Sequence, residues 1–434
     1  MTESLPRALM PATDELQATA TAPPPILYLC DFPPSNRDGG SVLVDRLLAE
    51  YPPENIVAFT SSRYHRPDAQ TRHWSSHHAV LWGVQGQGRW GIGRAKGLVN
   101  WLLIPLIALR AALQLRRRRA SAILSVAHGT YFIAAALASA LTSVPLILIV
   151  HDDWVADLQR NSYFFKYIAR RLFQSVLHRA SHVFAVSPPM QRLLRSEYGV
   201  DAELQMPCAE AVTRPAGVRN AEGSMRHCRI LYAGNGICGD DCLRILMELL
   251  QEDRLAGYGL SDWELHLYTP SLPGAIPPRT TWHGWVSQAE LAEAVASADI
   301  LFLPYSFLPD GKSVRTTSFP AKTADYLASG RPILIFSPPD STIVEYAREF
   351  DFACIVTEPA KDALAAAIGL LCCSEVYRGR LAANALRTLA VNHSAHRQRQ
   401  RLYDVLAETT DASQRPASVS AAGPLNPEAR RRRA

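Results

Sequence analysis

The chain has 434 residues, 48% of them apolar and 20% charged, with a formal net charge of +5. That length accommodates two or three domains with sizeable cores, and the composition excludes a wholly disordered, fibrous or disulfide-stapled chain. The charge is mild and by itself names no partner; no nucleic-acid partner is expected. The eight cysteines form no even framework. Cys238 and Cys242, with Cys228 and His227 nearby, raise the question of a metal. Their spacing is not C-x2-C and no second pair follows, so free thiols are expected and no metal site is assigned. The N-terminal stretch carries Glu3, Asp14 and Glu15 and no apolar run, so no signal peptide is expected and a cytoplasmic location follows.

In chain order, residues 1–23 are rich in Ala, Thr and Pro and are expected to form a disordered leader. ILYLC (26–30) is the first strand-like run. It is followed by DFPPSNRDGGS, in which Gly39-Gly40 opens a helical stretch, SVLVDRLLAEY. Paired glycines permit either a tight strand-to-helix turn or close approach of backbone N–H groups to a ligand. VNWLLIPLIALRAALQL (99–115) carries only Arg110 and runs into RRRR at 116–119. With Pro105 at its centre it is short for a transmembrane span. It reads either as an interfacial helix with a basic flank facing anionic lipid or as a buried domain helix with solvated arginines.

AILSV (122–126) leads into AHGTY, which places His128 at a strand end. PLILIV (145–150) leads into HDDW, which places His151, Asp152 and Asp153 at another. Two such histidines, one beside carboxylates, point to a site where a carboxylate orients an imidazole for proton transfer. HVFAVS (182–187) closes the first half. After a break near 208–226, the runs RILYAG (229–234), WELHLY (263–268), ADILFLP (298–304), PILIF (332–336) and FACIV (352–356) repeat the pattern. Apolar strands bounded by helices imply parallel sheets covered on both faces, so two tandem doubly wound, Rossmann-like domains are expected. Their expected bounds are 24–208 and 226–395, followed by a helix at 396–409 and a disordered basic tail at 410–434 ending in Arg430 to Arg433.

In the second half, NGICGDD opens a helix with Asp240 and Asp241, which suit its dipole as caps and would repel phosphate. TTSFPAKTADYLASGRPIL (316–334) is the better phosphate candidate. A helix start near Phe319 would follow Thr316, Thr317 and Ser318, with Pro320 and Lys322 in the first turn. Asp325, three residues after Lys322, shares its face. A diphosphate at the helix start would meet Lys322 and a ribose one turn deeper would meet Asp325; the alternative is a solvated helix start with an exposed Lys–Asp pair.

Taken in order, these pieces resemble a glycosyltransferase of the GT-B fold, of the retaining "group 1" type, over roughly 25–400. The resemblance rests on Gly39-Gly40, His128, VHD (150–152), SHVFAVSPPM, YAG (232–234), HGWVSQAEL (283–291) and SFPAKTADYLASGRPI. It implies two domains facing a central cleft, with an NDP-sugar donor on the C-terminal one, the acceptor on the N-terminal one, and no metal. The paired acids of that group, E-x7-E, fall on Thr317 and Asp325, so the second survives as a shorter aspartate and the first is replaced. The basic pair expected near YAG is also missing, with Asn235, Asp240 and Asp241 nearby instead; Lys312, Arg315 and Lys322 are candidates to supply the lost charge. Gly234 is expected among the donor-binding residues, and Gly284 to Val286 are expected to line the base through their backbone. His128 is assigned to the reacting centre, and His151 with Asp152 to acceptor positioning. The implied activity is hexosyl transfer from an NDP-sugar to an envelope polysaccharide, lipid-linked or other acceptor, at the inner face of the plasma membrane. The same fold also serves NDP-sugar epimerases, and a catalytically silent GT-B domain acting as a scaffold is the alternative of a different class.

Overall fold

The computed structural model describes residues 23–35, 39–62, 78–81, 98–161, 166–210, 227–234, 239–260, 262–272 and 274–414. The leader, Asn235, Cys238, residues 211–226 and the tail from 415 lie outside them. In the first half, β1 (Ile26–Leu29), β2 (Ile56–Ser61), β3 (His78–Leu81), β4 (Ala122–Val126), β5 (Leu146–Val150), β6 (His182–Ala185) and β7 (Glu203–Leu204) make one parallel sheet. Its order is β3-β2-β1-β4-β5-β6-β7. In the second half, β8 (His227–Ala233), β9 (Asp262–Tyr268), β10 (Thr280–Trp282), β11 (Ile300–Pro304), β12 (Ile333–Phe336) and β13 (Ala353–Val356) make another, ordered β10-β9-β8-β11-β12-β13. Both are doubly wound, as expected.

Residues alternate across the first sheet. Ile26, Tyr28, Leu124 and Ile149 face one core, and Leu27, Leu29, Ile123 and Leu148 face the other. Two-sided burial is why these runs read as unbroken apolar stretches. Four strands went unmarked by such runs: β2, β3, β7 and β10. The last is edge-placed and mostly exposed, and β7 spans two residues, so neither needs an apolar sequence.

The helix Ile104–Arg118 settles the two readings of the 99–115 segment in part. Ile104, Ile107, Ala108, Ala111 and Leu115 are buried in the core, while Leu102, Leu106, Leu109 and Leu113 face outward. Among the described residues no helix is long and apolar enough to cross a membrane.

The last helix is longer than its sequence bounds, running Ala395–Gln414. Its extension has a physical cause: Thr410 is buried, its hydroxyl donating to the Leu406 carbonyl at 2.7 Å and lying 3.4 Å from the Ser121 hydroxyl. This helix leaves the second domain and packs on the first. Leu402 and Leu406 join the cluster of Leu43, Val44 and Leu47, and the Tyr403 hydroxyl donates to the Leu47 carbonyl. Arg399 is buried and pairs with Glu50 and Glu210.

The turn into that helix is fixed by His393, which is fully buried. Its Nδ1 lies 2.6 Å from the Pro207 carbonyl and its Nε2 lies 3.0 Å from the Tyr346 hydroxyl. A carbonyl only accepts, so Nδ1 carries the proton, and Nε2 accepts from Tyr346, whose oxygen in turn accepts from Asn392. The imidazole is therefore neutral, and burial pushes its pKa down to about 4. Because the folded value lies below the unfolded one, this group's stabilisation is complete above the unfolded pKa and is lost as pH falls through the window toward 4. The expected loss is about 3 kcal/mol at the low end. Urea unfolding of His393→Gln between pH 7 and pH 4 should give a flatter stability profile than the wild type; parallel profiles would contradict the assignment.

Candidate functional site

In each sheet the strand order reverses between two neighbours, β1 and β4 in the first and β8 and β11 in the second. Loops leaving opposite sides at such a point open a crevice beyond the strand carboxyl ends, where open parallel sheets bind ligands. The loop after β1 carries Gly39-Gly40, and the loop after β4 carries His128. The loop after β8 carries Gly234, and the chain after β11 carries Lys312 to Asp325.

The loops of the first domain are held by Asp31. Its buried carboxylate accepts from the backbone N–H of Thr130 and of Tyr131, both at 2.7 Å, capping the helix Tyr131–Thr142. Gly129 turns with φ +57°, and a Cβ there would fall 2.4 Å from the Asp31 carboxylate. The Trp154 indole N–H donates to the Gly129 carbonyl at 2.9 Å. His128, half-buried, is thereby fixed edge-on to Phe32 with ring centroids 5.3 Å apart.

Gly40 lies against His151, where a Cβ would come within 2.9 Å of Nδ1. The paired glycines therefore serve close approach, here to an imidazole and, at Gly39, to the other domain, where an added Cβ would come within 3.3 Å of the Ala321 Cβ. His151 is 8% exposed, and its Nε2 has no hydrogen-bond partner among the described residues. Burial drives its pKa down to about 4, against the opposing pull of Asp152, and His128 lowers it further. It is a neutral hydrogen-bonding group at pH 7, not a cation.

Across the cleft, the helix Lys322–Ser329 begins three residues later than the sequence places it. Thr316 and Thr317 end a preceding helix, Lys312–Thr317, with their hydroxyls donating back to Lys312 and Ser313 carbonyls at 2.8 and 2.7 Å. Phe319 is buried instead, edge-on to Tyr346 and stacked on His393. Lys322 is the first helical residue. Its ammonium lies 4.4 Å from the Tyr232 ring centroid, and a Cβ on Gly234 would be 2.4 Å from Nζ. Glycine at 234 keeps that space open.

Three bonds join the domains here. The Ser318 hydroxyl donates to Asp152 at 2.5 Å, the Ser187 hydroxyl donates to the Thr317 carbonyl at 2.5 Å, and Arg46 pairs with Asp325 at 2.6 Å. Burial raises the Asp325 pKa, with Arg46 opposing the rise. Farther out, Arg192 reaches both carboxylate oxygens of Glu345 at 3.0 Å.

The structure thus gathers Gly39, Gly40, His151, Asp152, Gly234, Ser318, Lys322 and Asp325 around one crevice. It turns other candidates elsewhere. Arg315 is buried and donates to Asp340 and to the Leu308 carbonyl, and it holds the Asp340 carboxyl below the usual carboxylate range, with Lys312 adding to the effect. Lys312 itself is exposed. Gly284 has φ +66° and, like Val286, is half-buried in the loop after β10, where His283 stacks on Tyr268 at 4.3 Å. Asp241 accepts from the Phe307 backbone N–H at 2.9 Å, so it ties loops together as well as opening its helix. Among the described residues no group of three or more His, Cys, Asp or Glu side chains is arranged to hold a metal. Sequence reasoning missed Asp31 and Arg46. Asp31 sits directly after the first strand run, the one local signal it gives; Arg46 looks like an ordinary last-turn cation of an amphipathic helix.

Two facing doubly wound domains with a crevice between their switch points are the GT-B architecture. Residues 44–205, less than half of the chain, match the family model Glycosyltransferase Family 4. Among solved structures, the chain is similar to sucrose-phosphate synthase from Thermosynechococcus elongatus, at 15% identity and a TM-score of 0.63, covering 90% of this chain and 100% of that one. Anabaena HepE in complex with UDP and glucose is 13% identical with a TM-score of 0.60, covering 88% and 99%. WaaG, a glycosyltransferase involved in lipopolysaccharide biosynthesis, is 11% identical with a TM-score of 0.53, covering 90% and 100%. Comparison with curated proteins returns no match.

Gly129 provides a test of the scaffold behind His128. Gly129→Ala forces both a left-handed alanine and displacement of the Asp31 cap, so it should destabilise the chain by about 2–4 kcal/mol in urea unfolding. A loss no greater than that of an exposed-loop Gly→Ala control would contradict the geometry.

Proposed function

We propose that the chain transfers a hexosyl unit from an NDP-sugar, with retention and without a metal, to an envelope polysaccharide, lipid-linked or other carbohydrate acceptor at the cytoplasmic face of the plasma membrane. What supports this reading is the placing of Lys322 beside Gly234, with Asp325 one turn on, in a segment that Ser318 ties to Asp152 next to His151 and Gly40 of the first domain. Bound UDP and glucose in HepE support a nucleotide-sugar donor, and the lipopolysaccharide role of WaaG supports an envelope acceptor.

In this transfer positive charge grows on the sugar and negative charge on the leaving diphosphate. The start of the Lys322–Ser329 helix and the Lys322 ammonium stabilise the diphosphate. Asp325 takes the ribose hydroxyls, exchanging its bond to Arg46 for them, and Gly284 to Val286 line the base. His128 serves the reacting centre, and His151 with Asp152 positions the acceptor. A second reading, a silent GT-B scaffold, is favoured by one observation: Thr317, where the first family acid would stand, turns its hydroxyl back to Ser313.

Lys322→Ala should weaken UDP or GDP binding by about 1.5–3 kcal/mol, the scale of a charge-assisted hydrogen bond. Asp325→Asn should lower nucleotide affinity with the fold retained. Isothermal titrations indistinguishable from wild type for both variants would remove the nucleotide site from this helix. His128→Ala should reduce turnover by about 10²–10⁴ with nucleotide affinity nearly unchanged. Transfer at the wild-type rate would move the chemistry elsewhere, and nucleotide binding without any transfer or epimerisation across a donor panel would favour the scaffold.

A further inference from the structure

One corner of the second sheet carries a polar network that the crevice chemistry does not use. The crossover from β9 to β10 spans residues 269–279, and its described residues form no helix. One face of these strands is therefore left to polar side chains. β9 alternates, with Trp263, Leu265 and Leu267 buried and Glu264, His266 and Tyr268 on the other face. There His266 Nε2 lies 3.2 Å from Glu264 Oε2, and His266 Nδ1 lies 3.0 Å from His283 Nε2. His283 stacks on Tyr268, and its backbone N–H donates to the Leu267 carbonyl at 2.9 Å. It directly precedes Gly284. At the far end of the same loop, Ser287 opens the helix Gln288–Ser297 in a capping box with Glu290. The loop 284–286 is thus held at both ends, by a helix cap on one side and by an imidazole pair on the other.

The proton positions along this chain follow from its first member. The His266 bond and the Arg229 guanidinium hold the Glu264 carboxyl below the usual carboxylate range, so it is ionised and only accepts. His266 Nε2 therefore donates to it, which leaves Nδ1 to accept from His283 Nε2. Burial, with His266 adding to it, lowers the His283 pKa and keeps that ring neutral. One proton lies between the two rings. A second would set N–H against N–H and place two cations with centroids 5.3 Å apart, so the bond would open. The neighbouring charges do not compete for this bond. His227 of β8 pairs with Asp262 at 3.0 Å and lies 3.8 Å from Glu264, so its protonation strengthens contacts already made. Arg229 is paired with Glu264 and Arg279 with Asp262, and both stay charged. Glu290 is engaged at Ser287. We propose that His266 is a positioning residue for the nucleotide base: through His283 it fixes the loop 284–286, and a second proton on the imidazole pair releases that loop. The proposal rests on the reading of this loop as the segment that lines the base.

Isothermal titration of the full chain with UDP and GDP, at about pH 8 and about pH 5.5, tests this across the range of ordinary imidazole protonation. Inorganic pyrophosphate serves as the probe without a base. The wild type should lose more affinity for nucleotide than for pyrophosphate on acidification. His266→Ala should bind nucleotide about 3–10-fold more weakly already at the higher pH, the scale of one lost hydrogen bond, with pyrophosphate affinity and thermal unfolding unchanged. His266→Asn keeps an oxygen that accepts from His283 but cannot itself be protonated. It should therefore restore nucleotide affinity at the higher pH and remove the extra loss at the lower one. Nucleotide affinity in His266→Ala equal to wild type at both pH values would overturn the proposal while leaving the reading of the loop intact. Equal weakening of nucleotide and pyrophosphate would also overturn it, since the effect would then not pass through the base. A wild type that binds pyrophosphate but neither nucleotide would remove the reading of the loop, and the proposal with it.

Discussion

Arg46 is the residue on which the arrangement of the two halves turns. It sits in the last turn of the helix opened by Gly39-Gly40. One guanidinium nitrogen reaches Asp325 of the second domain and another donates to the Cys208 carbonyl of the linker at 2.7 Å. Its own carbonyl accepts from Arg399 of the last helix at 3.0 Å. Four separate stretches of chain therefore meet at one residue. A planar, always-charged fork suits that task better than a lysine would, because its donors diverge in fixed directions. The same ion pair occupies the carboxylate proposed to take the ribose, so the positions of the domains and the state of that proposed site are linked through one bond.

The electrostatics of the crevice are divided between its walls. On the second domain, a lysine stands at a helix start, where the backbone dipole already disfavours it, close to an aromatic face that offsets part of that cost. An anion placed there relieves the conflict. On the first domain, burial keeps His151 uncharged and leaves its Nε2 without a partner, which suits contact with sugar hydroxyls. Arg315 is paired with Asp340 and Lys312 is exposed, so on this loop the positive charge facing the crevice is concentrated at Lys322.

Much of the fold was legible in the sequence because parallel strands buried on both faces leave continuous apolar runs. Of the strands that escaped, β3 and β10 lie at sheet edges and β7 spans two residues, whereas β2 is a buried inner strand whose IVAF run carried the signal and was passed over. The face shared by Lys322 and Asp325 was readable from their spacing alone, since helical periodicity is local. The helix boundary beside them was misread for an equally local reason. Ser and Thr ahead of a proline look like an N-cap, yet here the threonine hydroxyls bond back to carbonyls and close the preceding helix. Arg46, Asp31 and the Arg315–Asp340 pair left no clear sequence trace, because a partner 25 to 279 residues away has no periodic signature.

The return of the Ala395–Gln414 helix to the first domain limits how this protein can be rebuilt. Cutting within 211–226 and exchanging second domains between related chains would carry that helix along with the wrong half. Leu402 and Leu406 would then meet a foreign surface, and the hydrophobic seat formed by Leu43, Val44 and Leu47 would be left wet. A workable chimera needs two junctions, one in the linker and one near Ser394, so that the final helix stays with the fold it covers.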